Sequence, residues 1–169
     1  MPELEIYATS LSKRKFSTFG QVIQADGSSS FWINDNKCER FDALAEIDVT
    51  FSTGSPVISI FRSKPYEVPV KLSIFERHPF GSQAFFPLHS DPFLIIIADD
   101  KDGIPYKPKA FLTNGKQGVN IRKNVWHGAL TPIVKECEFL VVDRSDPKKN
   151  LELFELSKPI VVFPKEKKV

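Results

Sequence analysis

Apolar and polar positions change over along this chain in short runs, and the two-residue period of a half-buried strand is the commonest pattern. Val70-Lys71-Leu72-Ser73-Ile74-Phe75 alternates for several steps, and Val57 to Arg62 is a β-rich apolar run ending in a charge. Phe93 to Ala98 is apolar throughout, as a strand buried on both faces requires. Further strand-sized runs are Leu4 to Ala8, Gly20 to Gln24, Phe31 to Asn34, Gln83 to Phe86, Lys109 to Thr113, Gly118 to Ile121, Glu136 to Asp143 and Ile160 to Phe163. Helical spacing occurs in one place, Ser10 to Phe19, where Leu11, Phe16 and Phe19 follow a Ser/Thr start. Asn114-Gly115 marks the clearest turn, because this pair readily takes the positive φ angles of tight hairpins. Gly27 to Ser30 and Lys101-Asp102-Gly103 read as loops. Many short strands separated by turns predict an all-β fold, a small antiparallel barrel or sandwich with one or two short helices.

Composition sharpens this picture at one point. The 169 residues include 15 Phe and 13 Pro, and the prolines after residue 50 divide the chain into pieces too short for long helices. No repeat or linker interrupts residues 1–169, which read as one domain. A chain of this size buries roughly two-thirds of its unfolded surface, so it folds without a structural metal or disulfide. Cys38 and Cys137 stand far apart in no zinc-finger spacing, which indicates a reducing, cytoplasmic setting. The start, Met1 to Glu5, has neither the basic region nor the apolar run of a secretion signal. The longest aliphatic run falls well short of the ~20 residues of a membrane span. Charge is nearly balanced, 23 Lys+Arg against 21 Asp+Glu, so no broad positive field for nucleic acid exists. The basic cluster Lys165, Lys167 and Lys168 reads as a solvated terminus.

With only three histidines in the chain, their neighbourhoods are informative. His89 lies in a turn-like stretch after Pro87 and reads as a surface residue. His78 ends a strand in Glu76-Arg77-His78-Pro79, and His127 ends another in Asn124-Val125-Trp126-His127. Residues two apart on a strand share a face, so Glu76 and His78 point one way and Arg77 the other. Gln83, across the Pro79 to Gly81 turn, offers an amide from the next strand. Imidazole, carboxylate and amide on a barrel wall suit either a divalent metal ion or a metal-free acid/base pair.

These blocks carry a resemblance. Phe19 to Ile23, Ile58 to Arg62, Glu76 to Leu88, Phe111 to Asn120 and Asn124 to His127, in this order and spacing, resemble the ureidoglycolate lyase family of small cupin-like enzymes in allantoin degradation. The resemblance implies a cupin double-stranded β-helix, a homodimer, and conversion of ureidoglycolate to glyoxylate and urea. Compared with cupins at large, Glu76-x-His78 and Gln83 stand where a His-x-His and Glu metal motif would stand, and His127 takes the place of the last ligand. Two positions depart from the family pattern. Gly128 follows His127 where many members have a second histidine, and Ile121 stands where many have tyrosine.

The implied substrate is a carbinolamide, with hydroxyl, carboxylate and urea nitrogen on one carbon. Its cleavage requires a base for the hydroxyl proton, an acid for the departing nitrogen, and an anchor for the carboxylate. His127, His78 and Glu76 are the catalytic candidates. Arg62 and Arg77 are the candidate anchors, with Arg40 a weaker third, because a guanidinium grips a carboxylate in bidentate fashion. Gln83 and Asn120 suit the urea end, since amides donate and accept as urea does. Asn124 reads as a turn-former, and Trp126 and Phe85 as packing. Glu76, His78, Gln83 and His127 would be the ligands if a divalent ion binds; no nucleotide or organic cofactor is expected. A rival reading is a non-catalytic module that senses a small carboxylate.

Overall fold

The computed structural model describes residues 3–26, 30–51, 53–145 and 150–165. The expected loop around Ser28 and the basic residues Lys167 and Lys168 lie outside these. The strands in chain order are β1 (Leu4–Tyr7), β2 (Thr9–Ser10), β3 (Gly20–Ile23), β4 (Ser30–Ile33), β5 (Cys38–Phe41), β6 (Ser55–Ser63), β7 (Val70–Arg77) and β8 (Gln83–Pro87). They continue with β9 (Phe93–Lys101), β10 (Ile104–Leu112), β11 (Gly118–Ile121), β12 (Trp126–His127), β13 (Thr131–Pro132), β14 (Cys137–Ser145) and β15 (Glu152–Phe163). The helical segment contracts to one turn, α1 (Lys13–Phe16), capped by the Ser12 hydroxyl on the Lys15 N–H and pinned by the fully buried Phe16. Among the described residues no helix is long and apolar enough to cross a membrane.

Two sheets carry the fold. The larger runs β1-β15-β7-β12-β9-β10-β2 with β13 beside β9, and the smaller runs β3-β11-β8-β14-β6. Residues 4–10 nearly close the larger sheet, because β1 pairs with β15 and β2 pairs with β10 at the opposite edge. Both of these pairings are parallel, unlike the antiparallel ladders expected from the alternation. The reason is connectivity: these partners come from distant parts of the chain rather than from hairpins. Similarly, Asn114-Gly115 does turn the chain, with Gly115 at φ +82° and the Asn114 side chain accepting from Lys116 N–H, but it passes from one sheet to the other instead of forming a hairpin.

Strand alternation produces two apolar layers. Val70, Leu72, Phe75, Leu94, Ile96, Ala98, Trp126, Ile160 and Val162 fill the inside of the curled larger sheet. Phe93, Ile95 and Ile97 face the other way and pack against Phe85, Val119, Ile121, Phe139 and Val141 of the smaller sheet. The continuous apolar run of β9 therefore has a partner on both faces. Gly20 permits the close approach of β3 to β11: a Cβ there would lie 1.9 Å from the Asn120 carbonyl oxygen.

Candidate functional site

The site lies where the two sheets face each other near the end of β7. Phe75 points into the curled sheet, so Glu76 points toward the smaller sheet, and His127 is its cross-strand neighbour on β12. His127 is in turn opposite Ile97 on β9, so a carboxylate, an imidazole and an apolar side chain lie side by side on one face. His78, the first residue beyond β7, keeps the same side as Glu76. Its ring centroid is 5.3 Å from that of His127. Donor atoms of Glu76, His78 and His127 all lie within 4.8 Å of one another. From the facing sheet, Gln83 enters beside Ile121, with its Nε2 donating to Asp143 Oδ2 at 3.4 Å.

Of these groups, Glu76 and Gln83 line a cavity of about 460 Å³ together with Phe61, Ser63, Tyr66 and Phe85, with Arg62 at its rim. His127 is deeper, only 2% exposed. Burial, and secondarily the nearby His78, lower its pKa to about 3, so its imidazole is neutral at ordinary pH. Burial raises the Glu76 carboxyl above the usual range, partly offset by His78.

Hydrogen bonds assign the tautomers. His78 Nδ1 is 2.7 Å from the Asn150 carbonyl oxygen and His127 Nδ1 is 3.1 Å from that of Gly128. A carbonyl oxygen only accepts, so both rings carry a proton on Nδ1; the neutral His127 ring therefore presents a lone pair at Nε2, and His78 does so in its neutral form. Both Nε2 atoms are buried without a hydrogen-bond partner, as is Oε1 of Gln83. Three unpartnered buried acceptors beside a carboxylate are costly unless something binds there. A divalent ion fits this donor set, since all four groups can offer lone pairs. The second grouping of similar residue types, His89, Asp91 and Cys137, differs on this point. There the Asp91 N–H donates to His89 Nδ1, which leaves the proton on Nε2 and no lone pair free for an ion.

The other sequence candidates are placed elsewhere. Arg77 is on the opposite face of β7, paired with Asp100 and Glu152 and stacked on the Trp126 ring at 4.4 Å. The alternation that brings Glu76 inward necessarily takes Arg77 out. Asn120 is buried, but its neighbours Val119 and Ile121 face the inter-sheet core and its own amide turns the other way, to Gln21 Oε1 and the Glu46 carbonyl. Arg62 reaches the rim while engaged with Glu138 at 2.7 Å. Arg40 pairs with Asp42, away from the residues that line the cavity. Asn124 adopts φ +63° in the turn before β12, as its turn-forming reading requires. Sequence reading missed Ser63, Tyr66 and Asn150, which sit in stretches without motif or period. It also missed the buried Arg144, whose Nη1 donates to the carbonyls of Val49 and Phe80 and ties down the turn after His78.

Comparison with known proteins identifies the family. The family described as ureidoglycolate lyase matches residues 3–163. The chain belongs to the ureidoglycolate lyase family. Its relatives in that family include the ureidoglycolate lyase of Chelativorans sp. (strain BNC1), 45% identical over 96% of this chain and 99% of the relative. Ureidoglycolate lyase 2 of Rhizobium meliloti (strain 1021) is 45% identical over 90% and 93%, respectively. The ureidoglycolate lyase of Rhizobium etli (strain CIAT 652) is 43% identical over 90% and 92%. The nearly closed all-β architecture is that of a cupin-like member of the ureidoglycolate lyase family.

Proposed function

We propose that this protein, working as a single domain, cleaves ureidoglycolate to glyoxylate and urea at the Glu76, His78 and His127 cluster. The observation that carries the reading is the pair of imidazoles, each with its Nδ1–H on a backbone carbonyl and its Nε2 unpartnered, beside a half-buried carboxyl that lines a cavity large enough for a small acid. His127 receives the hydroxyl proton at Nε2. The oxygen's electron pair forms the glyoxylate carbonyl, the carbon–nitrogen bond breaks, and the departing nitrogen takes a proton from Glu76, whose raised pKa suits it as an acid. The imidazolium and carboxylate so produced face each other at 3.7 Å, and exchange with solvent restores both. Gln83 Oε1 accepts from the urea N–H groups. Arg62 anchors the substrate carboxylate by exchanging it for Glu138.

Glu76, His78, Gln83 and His127 are also the residues that would hold a divalent ion. Such an ion supplies a Lewis acid that lowers the pKa of the substrate hydroxyl. Metal analysis of protein purified without chelator, with activity before and after removal, tests this assignment. We further place the protein in the cytoplasm as a homodimer. Free thiols at Cys38 and Cys137 support the first, and an apolar outer sheet face supports the second.

Purified protein supplied with ureidoglycolate is expected to release glyoxylate and urea in equal amounts. Ammonia and carbon dioxide instead would identify an amidohydrolase and overturn the assignment. Absence of turnover with retained glyoxylate binding would identify a carboxylate-binding module.

A further inference from the structure

His78 stands just past the last ladder residue of β7, where the sheet no longer fixes the backbone, yet the site requires its ring in one orientation and one tautomer. Three hydrogen bonds do this work, and two of them end on a single residue 72 positions away in the chain. The His78 carbonyl accepts from the Asn124 N–H at 3.0 Å. The His78 Nδ1–H donates to the Asn150 carbonyl at 2.7 Å, and the Phe80 N–H donates to Asn150 Oδ1 at 2.8 Å. Resting on the reading of His78 as a working group of the site, we propose that Asn150 is its positioning residue, holding the Nδ1–H tautomer through its carbonyl and the 78–80 turn through its side chain.

Asparagine suits this position because its side chain brings an acceptor back toward the turn while its own carbonyl takes the ring proton. The two bonds form a closed loop through residues 78 to 80, so the imidazole and the turn cannot reorient separately. A ring released from the Asn150 carbonyl could place its proton on either nitrogen, and the Nε2–H form offers no lone pair to the site. Partners of this kind behind a working histidine typically change affinity or activity by about ten- to a hundredfold when lost. Within the described hydrogen bonds the Asn150 Nδ2 contributes nothing to this clamp, so aspartate can replace asparagine as acceptor.

The test uses full-length protein and two variants, Asn150→Ala and Asn150→Asp, with the imidazole tautomers read by nitrogen–proton correlation spectroscopy in the absence of substrate and metal. In the parent, His78 is expected wholly as the Nδ1–H form, with slow solvent exchange at the Phe80 amide. Asn150→Ala is expected to mix the tautomers and lower kcat by about tenfold or more while KM changes little. Asn150→Asp is expected to restore the parent tautomer and most of kcat. An unchanged tautomer and kcat in Asn150→Ala, or equal impairment of both variants, would overturn the proposal. Should the alanine variant not fold, an unprotected Phe80 amide in the parent does the same. The tautomer needs no substrate, so a parent without lyase activity would sink the functional reading and leave this measurement decisive for Asn150.

Discussion

At the scale of one residue, His127 links burial to both chemistry and stability. Its folded pKa, about 3, lies far below the ordinary histidine value of 6.5, because the charged ring would be buried. As pH falls below about 6.5, the unfolded chain takes up a proton that the folded one refuses. Stability from this group is therefore complete above that pH and is lost as pH falls toward 3, at a slope of up to about 1.4 kcal/mol per pH unit. Glu76 acts in the opposite sense: its raised carboxyl contributes stability below its unfolded pKa, and this is lost as pH rises through the folded value. His127→Asn is thus expected to flatten the acid limb of stability, measured as urea midpoints of metal-free protein between pH 7 and 4. Parallel curves for parent and variant would refute the buried neutral imidazole. The same variant is expected to lose at least about a hundredfold in kcat, as removal of a general base typically does.

At the scale of an element, β7 sorts two adjacent residues into different work. Glu76 enters the site, while Arg77 joins β7 to Asp100 on β9 and Glu152 on β15 over the Trp126 ring. Arg77→Ala is expected to cost about 1–2 kcal/mol of stability with KM unchanged, since it loses a partly shielded ion-pair network and a cation–π contact. Arg62→Ala should do the reverse, raising KM severalfold with little change in stability, because its pair with Glu138 is exposed. A KM effect confined to Arg77→Ala would reassign the anchor. This division was legible in the alternation of β7, as were the convergence of Glu76, His78 and His127 and the bounds of β11. What escaped the sequence were features set by tertiary geometry. Pro105, Pro108 and Pro159 lie inside β10 and β15 rather than ending them, beside register shifts that accommodate a residue without an N–H. The β5 strand, Cys38–Phe41, has little apolar alternation and forms only because β4 folds back on it through Asn34, Asp35 and Asn36 at positive φ. Asn120 looked like a cavity residue because the irregular stretch whose Glu46 carbonyl takes its amide announces itself by no pattern.

For the whole molecule, the unbalanced feature is the outer face of the smaller sheet. Its inner face is the inter-sheet core, but Ile58 and Ile60 on β6 are 73% and 55% exposed, and Phe86 and Leu88 lie on the same side. Register places Ile60 beside Leu140 and Leu140 beside Phe86, so these side chains form one apolar surface across three strands. Strands that alternate apolar residues onto both faces lose the benefit on the face left in water, at roughly 25 cal/mol per Å². In the proposed homodimer a second copy of the chain, bringing the same surface about a two-fold axis, would cover it without needing another partner. Light scattering should therefore give twice the chain mass, and the paired change Ile58→Lys with Ile60→Lys should shift it to the monomer while raising solubility. Ile58 and Ile60 do not themselves line the cavity, so a folded monomer tests whether the cavity works alone. A parent that scatters as a monomer at high concentration, or a doubly substituted protein that remains dimeric, would remove this face as the interface.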